Sequence, residues 1–600
     1  MKNYVLLLID SLNYSHVKSS PFELMPFLSE LKKEGISCEN MYSEAPYTEA
    51  ALMNLICGQD VLDYGGYMFR YKDTPLTLFE AMQLKGFETF TNSYEPQCYP
   101  SSVNRGIDYC VNGVGYEIGS LWSYRLKHYS NLYKNGKMNE YDFKVVDTIV
   151  KDNLESWLKW TNDLIKDSFA VSMIGKNSSL YNPLIVHKKV KKQYDLYYKD
   201  PNKYVEQLLK KGRSHEIYSI EGFNQNMKIK NKEIKKYIRQ EYKLLFKKIR
   251  KMDFKLNLKN EERIFSGTIK KLGELIRKPR MENLKNFVKA SLLSINSLID
   301  IDLYKRINKN CDGFKNSPSM RKKVDNYIEW ASKRATIDRP HFAYIHVDDV
   351  HNPEIFFTYD TEDKDVIRKE KKDVELLLKE IPPSYKGSIT HDLSLRYIDG
   401  IIKYFYEQLE KFNMANNTVV IICADHGFSF SGNPLRDSAV INLFLENYNI
   451  PFIITGTKYK DIKITKMCES KDIPATICDL VDGIIPSEFS GQSVLRNCDY
   501  THLRIEYCGG GCPDLIRREL KMASFDEHYF VGTLGTLENY SEGIITEIYD
   551  LQKDPNQLNN LIRREYDKIR VKKLFETIIA RKHIIKHSLE SINPRLVNSF

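Results

Sequence analysis

Two short aliphatic runs end in acidic residues, and this constrains the fold more than any other feature of the chain. Val5-Leu6-Leu7-Leu8-Ile9 leads straight into Asp10, and Thr418-Val419-Val420-Ile421-Ile422-Cys423 leads through one alanine into Asp425-His426-Gly427. A strand that is apolar at every position has both faces covered, the condition of a parallel strand inside an α/β sheet. Runs at His341–Val347 and Pro451–Thr455 read the same way. Segments with helical periodicity, Phe22 to Lys33, Thr77 to Leu84 and Ile389 to Lys411, lie between the strands. The expected fold is α/β, with a central mixed, mostly parallel sheet flanked by helices.

Six hundred residues exceed one ordinary core, so insertions or a second domain are expected. Residues 1–125 and 336–500 carry the strand signals and are expected to form the two parts of the α/β core. Between them, residues 126–335 become dense in Lys, Tyr and Asn, as in KKVKKQYDLYYKD (188–200). In the stretch 231–255, Ile234, Ile238, Tyr242, Leu245 and Ile249 recur at three- and four-residue steps, so this region reads as a mainly helical insertion whose lysines form a solvated face. Residues 501–600 read as a small C-terminal α+β subdomain with a helical tail.

A net charge of +10 favours an anionic partner or substrate. No run approaches the roughly 20 apolar residues of a membrane span, so no transmembrane segment is expected. Tyr4–Ile9 is too short for the core of a signal peptide, which makes the cytoplasm the expected location. Eleven cysteines without framework spacing suit reduced thiols. Cys508-Gly-Gly-Gly-Cys512 has no second pair at zinc-site spacing and reads as a turn.

Ligands bind at the carboxyl ends of strands in open α/β sheets, where Asp10 and Asp425-His426 stand. Carboxylates and an imidazole suit Zn, Mn, Mg or Ca. Singly, each has a plain structural reading as a helix cap or a turn.

The ordered set of neighbours resembles the sulfatase-like branch of the alkaline phosphatase superfamily. VLLLID resembles the family's opening metal-binding strand, and residues 26–58 resemble its helix, turn and nucleophile segment. NTVVIICADHG (417–427) resembles the second metal-binding strand, IPFIITG (450–456) a later core strand, and residues 472–495 the helix that begins "D-x-x-P-T". Glu547 to Pro555 (EIYDLQKDP) resembles the "E-L-Y-D-L-x-x-D-P" terminus. The matches span about 1–125 and 336–560, in order, and imply an alkaline phosphatase-like fold.

The resemblance also shows a departure. Sulfatases place a Cys or Ser in C/S-x-P-x-R, where it becomes formylglycine, ten residues before a glycine. Counting back from Gly58 gives Thr48, with Ala50 and Leu52 in place of the motif's proline and arginine. Threonine cannot give the aldehyde, because its Cβ carries a methyl group. The resemblance is then to the phosphoglycerol- and phosphoethanolamine-transferase branch, where threonine attacks phosphorus. His351 in HVDDVHNP is similar to the family's substrate-side histidine. Asp348 and Asp349 are candidate ligands for a second metal, though they lack the four-residue spacing of two-metal enzymes. Thr91-Asn92-Ser93-Tyr94 replaces the sulfatase "G-K-W-H", and Arg436 is a candidate for the lost cation.

These resemblances imply one divalent metal on Asp10, Thr48, Asp425 and His426, with Thr48 and His351 catalytic and His351 and Arg436 contacting substrate. The expected activity is metal-dependent hydrolysis or transfer of phosphate esters through a covalent threonine intermediate, on an anionic small-molecule or glycan substrate. The alternatives are a sulfuric ester hydrolase and a basic polyanion-binding protein on the same scaffold. Nucleic acid is disfavoured as a partner, since it leaves the ordered motifs unexplained.

Overall fold

The computed structural model describes residues 1–17, 23–67, 74–93, 105–110, 126, 129–166, 183–219, 319–334, 339–350, 363–381, 389–428, 443–496, 498–509, 519–536, 545–565 and 568–592, with scattered positions between 232 and 288.

The aliphatic runs form the centre of one sheet. Its strands are β1 (Asn3–Ile9), β2 (Ile36–Tyr42), β3 (Glu88–Thr91), β4 (Tyr109–Cys110), β5 (His341–Val347), β6 (Thr418–Cys423), β7 (Asn449–Thr455), β8 (Ile462–Ile464) and β9 (Cys468–Glu469). Their order is β4-β3-β5-β1-β6-β7-β2-β8, with β9 also on β2. β1 lies parallel to both β5 and β6, and β7 alone runs against the other eight. The sheet is therefore mixed and mostly parallel. β1, β5 and β6 are buried almost end to end, which explains why they read as continuous apolar runs.

Register places the acidic residues together. Leu8 pairs with Cys423 on β6 and with His346 on β5. Two residues further on, Asp10 and Asp425 leave adjacent parallel strands at the same level. The chain turns sharply after Asp10, with Ser11 at φ 64°.

Helices flank this sheet as expected, with local adjustments. The helix expected from Phe22 begins at Pro26 and runs to Glu34; proline fits the first turn, where its missing N–H costs nothing. The helix Leu78–Leu84 is capped by Thr77, whose hydroxyl accepts from Glu80 N while the Glu80 carboxylate accepts from Thr77 N.

In the region 126–335 the described elements are helices, among them Glu140–Lys166, Pro183–Lys199, Pro201–Lys211 and Met320–Lys333. On Pro183–Lys199, Val186, Val190, Gln193 and Tyr197 are buried while Lys188, Lys189, Lys191 and Lys192 are exposed, so those lysines form a solvated face. Most of 231–255 lies outside the described residues; Ile234, Ile238 and Leu245 within it are buried.

A second, antiparallel sheet of β10 (Leu503–Cys508), β11 (Leu520–Phe525), β12 (Tyr529–Gly535) and β13 (Ile545–Asp550) follows the core. The helix Ile569–Ile592 packs on β11 and β12. Buried charge joins this sheet to the core. Arg581 from the helix forks onto Glu506 of β10 and reaches Asp63 at 2.7 Å; Arg504 holds Asp60 at 3.1 Å. Lys471 also contacts Asp60, and it meets Glu44 at 2.8 Å and Glu469 at 2.5 Å. The carbonyl of Glu44, four residues before Thr48, accepts from Glu506 N at 2.8 Å.

Candidate active site

Thr48 is the first residue of the helix Thr48–Cys57, and Tyr47 is its cap. Thr48 therefore stands one position inside the helix, past its cap. Its hydroxyl instead donates to Asp10 Oδ2 at 3.2 Å, within the buried end of the sheet. The ten-residue spacing from Thr48 to Gly58 is the length of this helix. Gly58 closes it in the left-handed conformation, at φ 61°, and a Cβ there would fall 2.7 Å from the Phe489 ring. The arginine position of the sulfatase motif is Leu52, fully buried in this helix, where a guanidinium would have no solvent.

Asp10, Asp425 and His426 converge, offering ligand atoms within 4.8 Å of one another. His426 Nε2 lies 3.6 Å from both Asp10 Oδ1 and Asp425 Oδ2. The backbone fixes these side chains. Asp425 Oδ1 accepts from Ser11 N at 3.1 Å and from His426 N at 2.8 Å. Ser11 Oγ donates to Asp10 Oδ1 at 2.6 Å. His426 Nδ1 faces the Gly427 carbonyl at 2.8 Å, leaving Nε2 turned inward. Gly427 is held against Asn13, whose Oδ1 accepts from Phe428 N at 2.7 Å; a Cβ on Gly427 would lie 2.8 Å from that oxygen.

Two atoms of this cluster, Asp425 Oδ2 and His426 Nε2, are buried without a hydrogen bond. Orphaned polar atoms are costly in an apolar interior, and two lone-pair donors only 3.6 Å apart, a carboxylate oxygen and an imidazole nitrogen, suit a cation. With Asp10 and the Thr48 hydroxyl they form an oxygen-rich, one-nitrogen donor set that fits a single divalent ion of the Zn, Mn, Mg or Ca kind.

Three residues near this point were missed in the sequence. His346 stands inside β5, not beyond its end, with Nε2 3.5 Å from Asp10 Oδ2 and Nδ1 2.9 Å from the Tyr344 hydroxyl. Pairing with Leu8 puts it on the same face as Asp10, so strand register is the signal that finds it. Lys323, buried in the helix Met320–Lys333, donates to the His346 carbonyl at 2.5 Å and lies 3.5 Å from Asp348. Asn92, in the segment that replaces "G-K-W-H", donates to the Lys323 carbonyl at 2.5 Å. Asp349 caps the same helix by accepting from Met320 N, a structural role for one of the two candidate second-metal carboxylates. His351 and Arg436 lie outside the described residues.

The sheet, the helix that begins at Thr48 and the group of Asp10, Asp425 and His426 make a candidate metal-binding centre at the carboxyl ends of the central strands. The Sulfatase family model matches residues 2–211 and 281–484, more than half of the chain, and the chain belongs to the Sulfatase family. The match runs through residue 211 and so takes in part of the region read as an insertion. An arylsulfatase of Clostridium perfringens is 29% identical over 209 residues, which is 34% of this chain and 40% of that protein. A Delta 4,5-hexuronate-2-O-sulfatase of Bacteroides thetaiotaomicron is 28% identical over 189 residues, 29% of this chain and 36% of that protein. The alignments thus span well under half the length of these relatives. Among solved structures, a phosphonate monoester hydrolase from Silicibacter pomeroyi superposes with a TM-score of 0.49 at 12% identity, covering 97% of this chain and 95% of that one. No helix among the described residues is long and apolar enough to cross a membrane.

Proposed function

We propose that the protein cleaves or transfers phosphate esters, with Thr48 as the nucleophile of a covalent intermediate and one divalent metal held by Asp10, Thr48, Asp425 and His426. The observation that carries this reading is the Thr48 hydroxyl bonded to Asp10 beside the two orphaned ligand atoms. A bound divalent ion would lower the hydroxyl pKa and draw charge from the phosphoryl oxygens. Asp10 orients the hydroxyl proton away from the face that Thr48 presents to substrate. The first backbone N–H groups of the helix Thr48–Cys57 have no partner in their own helix and supply positive potential to an anion at that face. Thr48 Oγ1 would pass its proton to Asp10 and attack phosphorus in line, as the bond to the leaving oxygen breaks on the opposite side, with His351 assisting the leaving group or the acceptor. Attack by water on the phosphothreonine gives hydrolysis; attack by a sugar hydroxyl gives transfer to a glycan.

A second reading, hydrolysis of sulfate esters, is favoured by the names of the two sulfatase relatives. Thr48 cannot form the gem-diol that formylglycine provides, so this chemistry would also have to proceed by direct attack of the threonine.

The test uses aryl phosphate monoesters, phosphodiesters and sulfates with each candidate metal. Phosphodiester turnover above sulfate turnover is expected. Thr48→Ala should abolish it, Thr48→Ser should keep part of it, and acid quench with peptide mass spectrometry should find phosphate on Thr48. A fully active Thr48→Ala protein ends the proposal.

A further inference from the structure

Three cysteines far apart in sequence meet on the side of the sheet near β2 and β9. Cys38 comes from β2, Cys468 from β9, and Cys498 from the loop before β10. All three are buried, at 1%, 0% and 3% exposure. Cys468 Sγ, Cys498 Sγ and a carboxylate oxygen of Asp472 lie within 4.8 Å of one another. The Cys38 thiol neighbours that of Cys468 but lies outside this group of three.

Asp472 begins the helix Asp472–Asp482 and is held in place by the backbone. Its Oδ1 accepts from Gln492 N and from the Tyr500 hydroxyl, both at 2.7 Å, while Oδ2 accepts only Glu469 N at 2.9 Å. Oδ2 therefore keeps a free lone pair. Cys468 and Cys498 donate weakly to the carbonyls of Lys466 at 3.6 Å and Ser493 at 3.2 Å. These are long contacts, and thiols are poor donors that give them up at little cost.

We propose that Cys468, Cys498 and Asp472 form a second metal site, distinct from the Asp10 centre, that takes a thiophilic ion of the zinc class and draws in the neighbouring Cys38 thiol as a further ligand. Two sulfurs and one carboxylate oxygen converge, and a shift of Cys38 toward them would complete the four ligands of a structural zinc site. The sulfurs exclude magnesium and calcium, which take oxygen. A metal binds thiolate and displaces the thiol proton, so loading releases protons to the buffer and tightens as pH rises. The ion would tie β2 and β9 to the helix Asp472–Asp482 and to the segment entering β10. Lys471 lies one residue before Asp472, so the same ion would brace the charged network reaching Glu44. The proposal stands independently of the reaction assigned to Thr48.

Cobalt reports the ligands directly, because thiolate–cobalt(II) centres show an intense near-ultraviolet charge-transfer band that oxygen-ligated cobalt lacks. The full chain carrying Asp425→Asn, which removes the other centre, is stripped of metal under reductant and titrated with cobalt(II), then zinc(II). One equivalent of cobalt with that band, displaced by one equivalent of zinc, is expected; Cys468→Ser and Cys498→Ser should each lose it. A folded Asp425→Asn protein that takes up cobalt without the band, or takes up none, overturns the proposal. So does a band that persists in both serine variants. Because the first measurement needs no cysteine substitution, misfolding of the serine variants leaves it decisive.

Discussion

His346 and Asp10 face each other from neighbouring strands, with Nε2 3.5 Å from Oδ2, and the Tyr344 hydroxyl occupies the other ring nitrogen at 2.9 Å. An ionised Asp10 sets the proton on Nε2, so that Nδ1 accepts from Tyr344. The pair would orient from behind a carboxylate that we propose as a metal ligand. Losing such a partner costs roughly 10–100-fold in metal affinity or activity. Tyr344→Phe and His346→Gln should both weaken metal binding within that range, the second more strongly, with the fold preserved. Competition titration against a chromophoric chelator checks this, and unchanged affinity in both variants contradicts the positioning role.

Asp425→Asn should remove the metal while sparing the structure. The retained amide oxygen can still accept from Ser11 N and His426 N, the two bonds that fix the loop. The Oδ2 position, orphaned in the wild type, becomes an NH2 group that cannot ligate. Circular dichroism should be unchanged while elemental analysis finds the oxygen-ligated metal gone. Full stoichiometry at that centre argues against the ligand assignment.

The sequence revealed this centre because its two main carboxylates end strands that are apolar at every position. Parallel neighbours in register bring such ends to one level, so Asp10 and Asp425 were legible together. His346 was not, since it lies inside a strand and only the pairing of Leu8 with His346 shows which residue it neighbours. Direction was hidden as well: β7 is as apolar as β6 yet runs antiparallel to it. β3 escaped notice because Thr89 and Thr91 are polar in sequence, although both are buried with their hydroxyls bonded, Thr91 to the Tyr344 carbonyl at 3.0 Å. The thiol cluster could not be read from spacing at all, because 38, 468 and 498 are brought together only by the edge of the sheet.

Arg581→Ala should destabilise the protein severely, although the tail carries no catalytic residue. Glu506 is fully buried and would lose both arms of the guanidinium fork. Breaking a buried pair from one side costs about 3–5 kcal/mol, mostly for the stranded charge. Glu506→Gln in the same background should recover part of that loss. Urea unfolding of the single and double variants measures it; equal stability of Arg581→Ala and wild type would show that the fork is energetically idle.

Asp399 gives the fold a pH dependence of unusual sign. It caps the helix Pro26–Glu34 from outside, accepting from Phe27 N at 3.0 Å and Leu28 N at 2.8 Å. Burial nevertheless pushes its carboxyl from 3.8 up to about 6, against the lowering effect of those two N–H groups and of Arg396, and with Glu23 adding to the rise. The native state therefore holds this proton more tightly than the unfolded chain does. Its contribution is full below about pH 4 and is lost as pH rises to about 6, up to ~3 kcal/mol for a shift of about two units. Asp399→Asn cannot ionise, so the stability of wild type relative to this variant should fall between about pH 4 and pH 7. A gap that stays constant across that range contradicts the shift.

Every residue of the helix Thr48–Cys57 is buried, from the hydroxyl that meets Asp10 to the cysteine before Gly58. Such a helix has no face on which water can begin to loosen it. Its amides should exchange with solvent only when the whole core opens, among the slowest in the molecule. Thr48 is therefore held stationary while its helix stays folded, and any motion that admits or releases a ligand belongs to other segments of the chain.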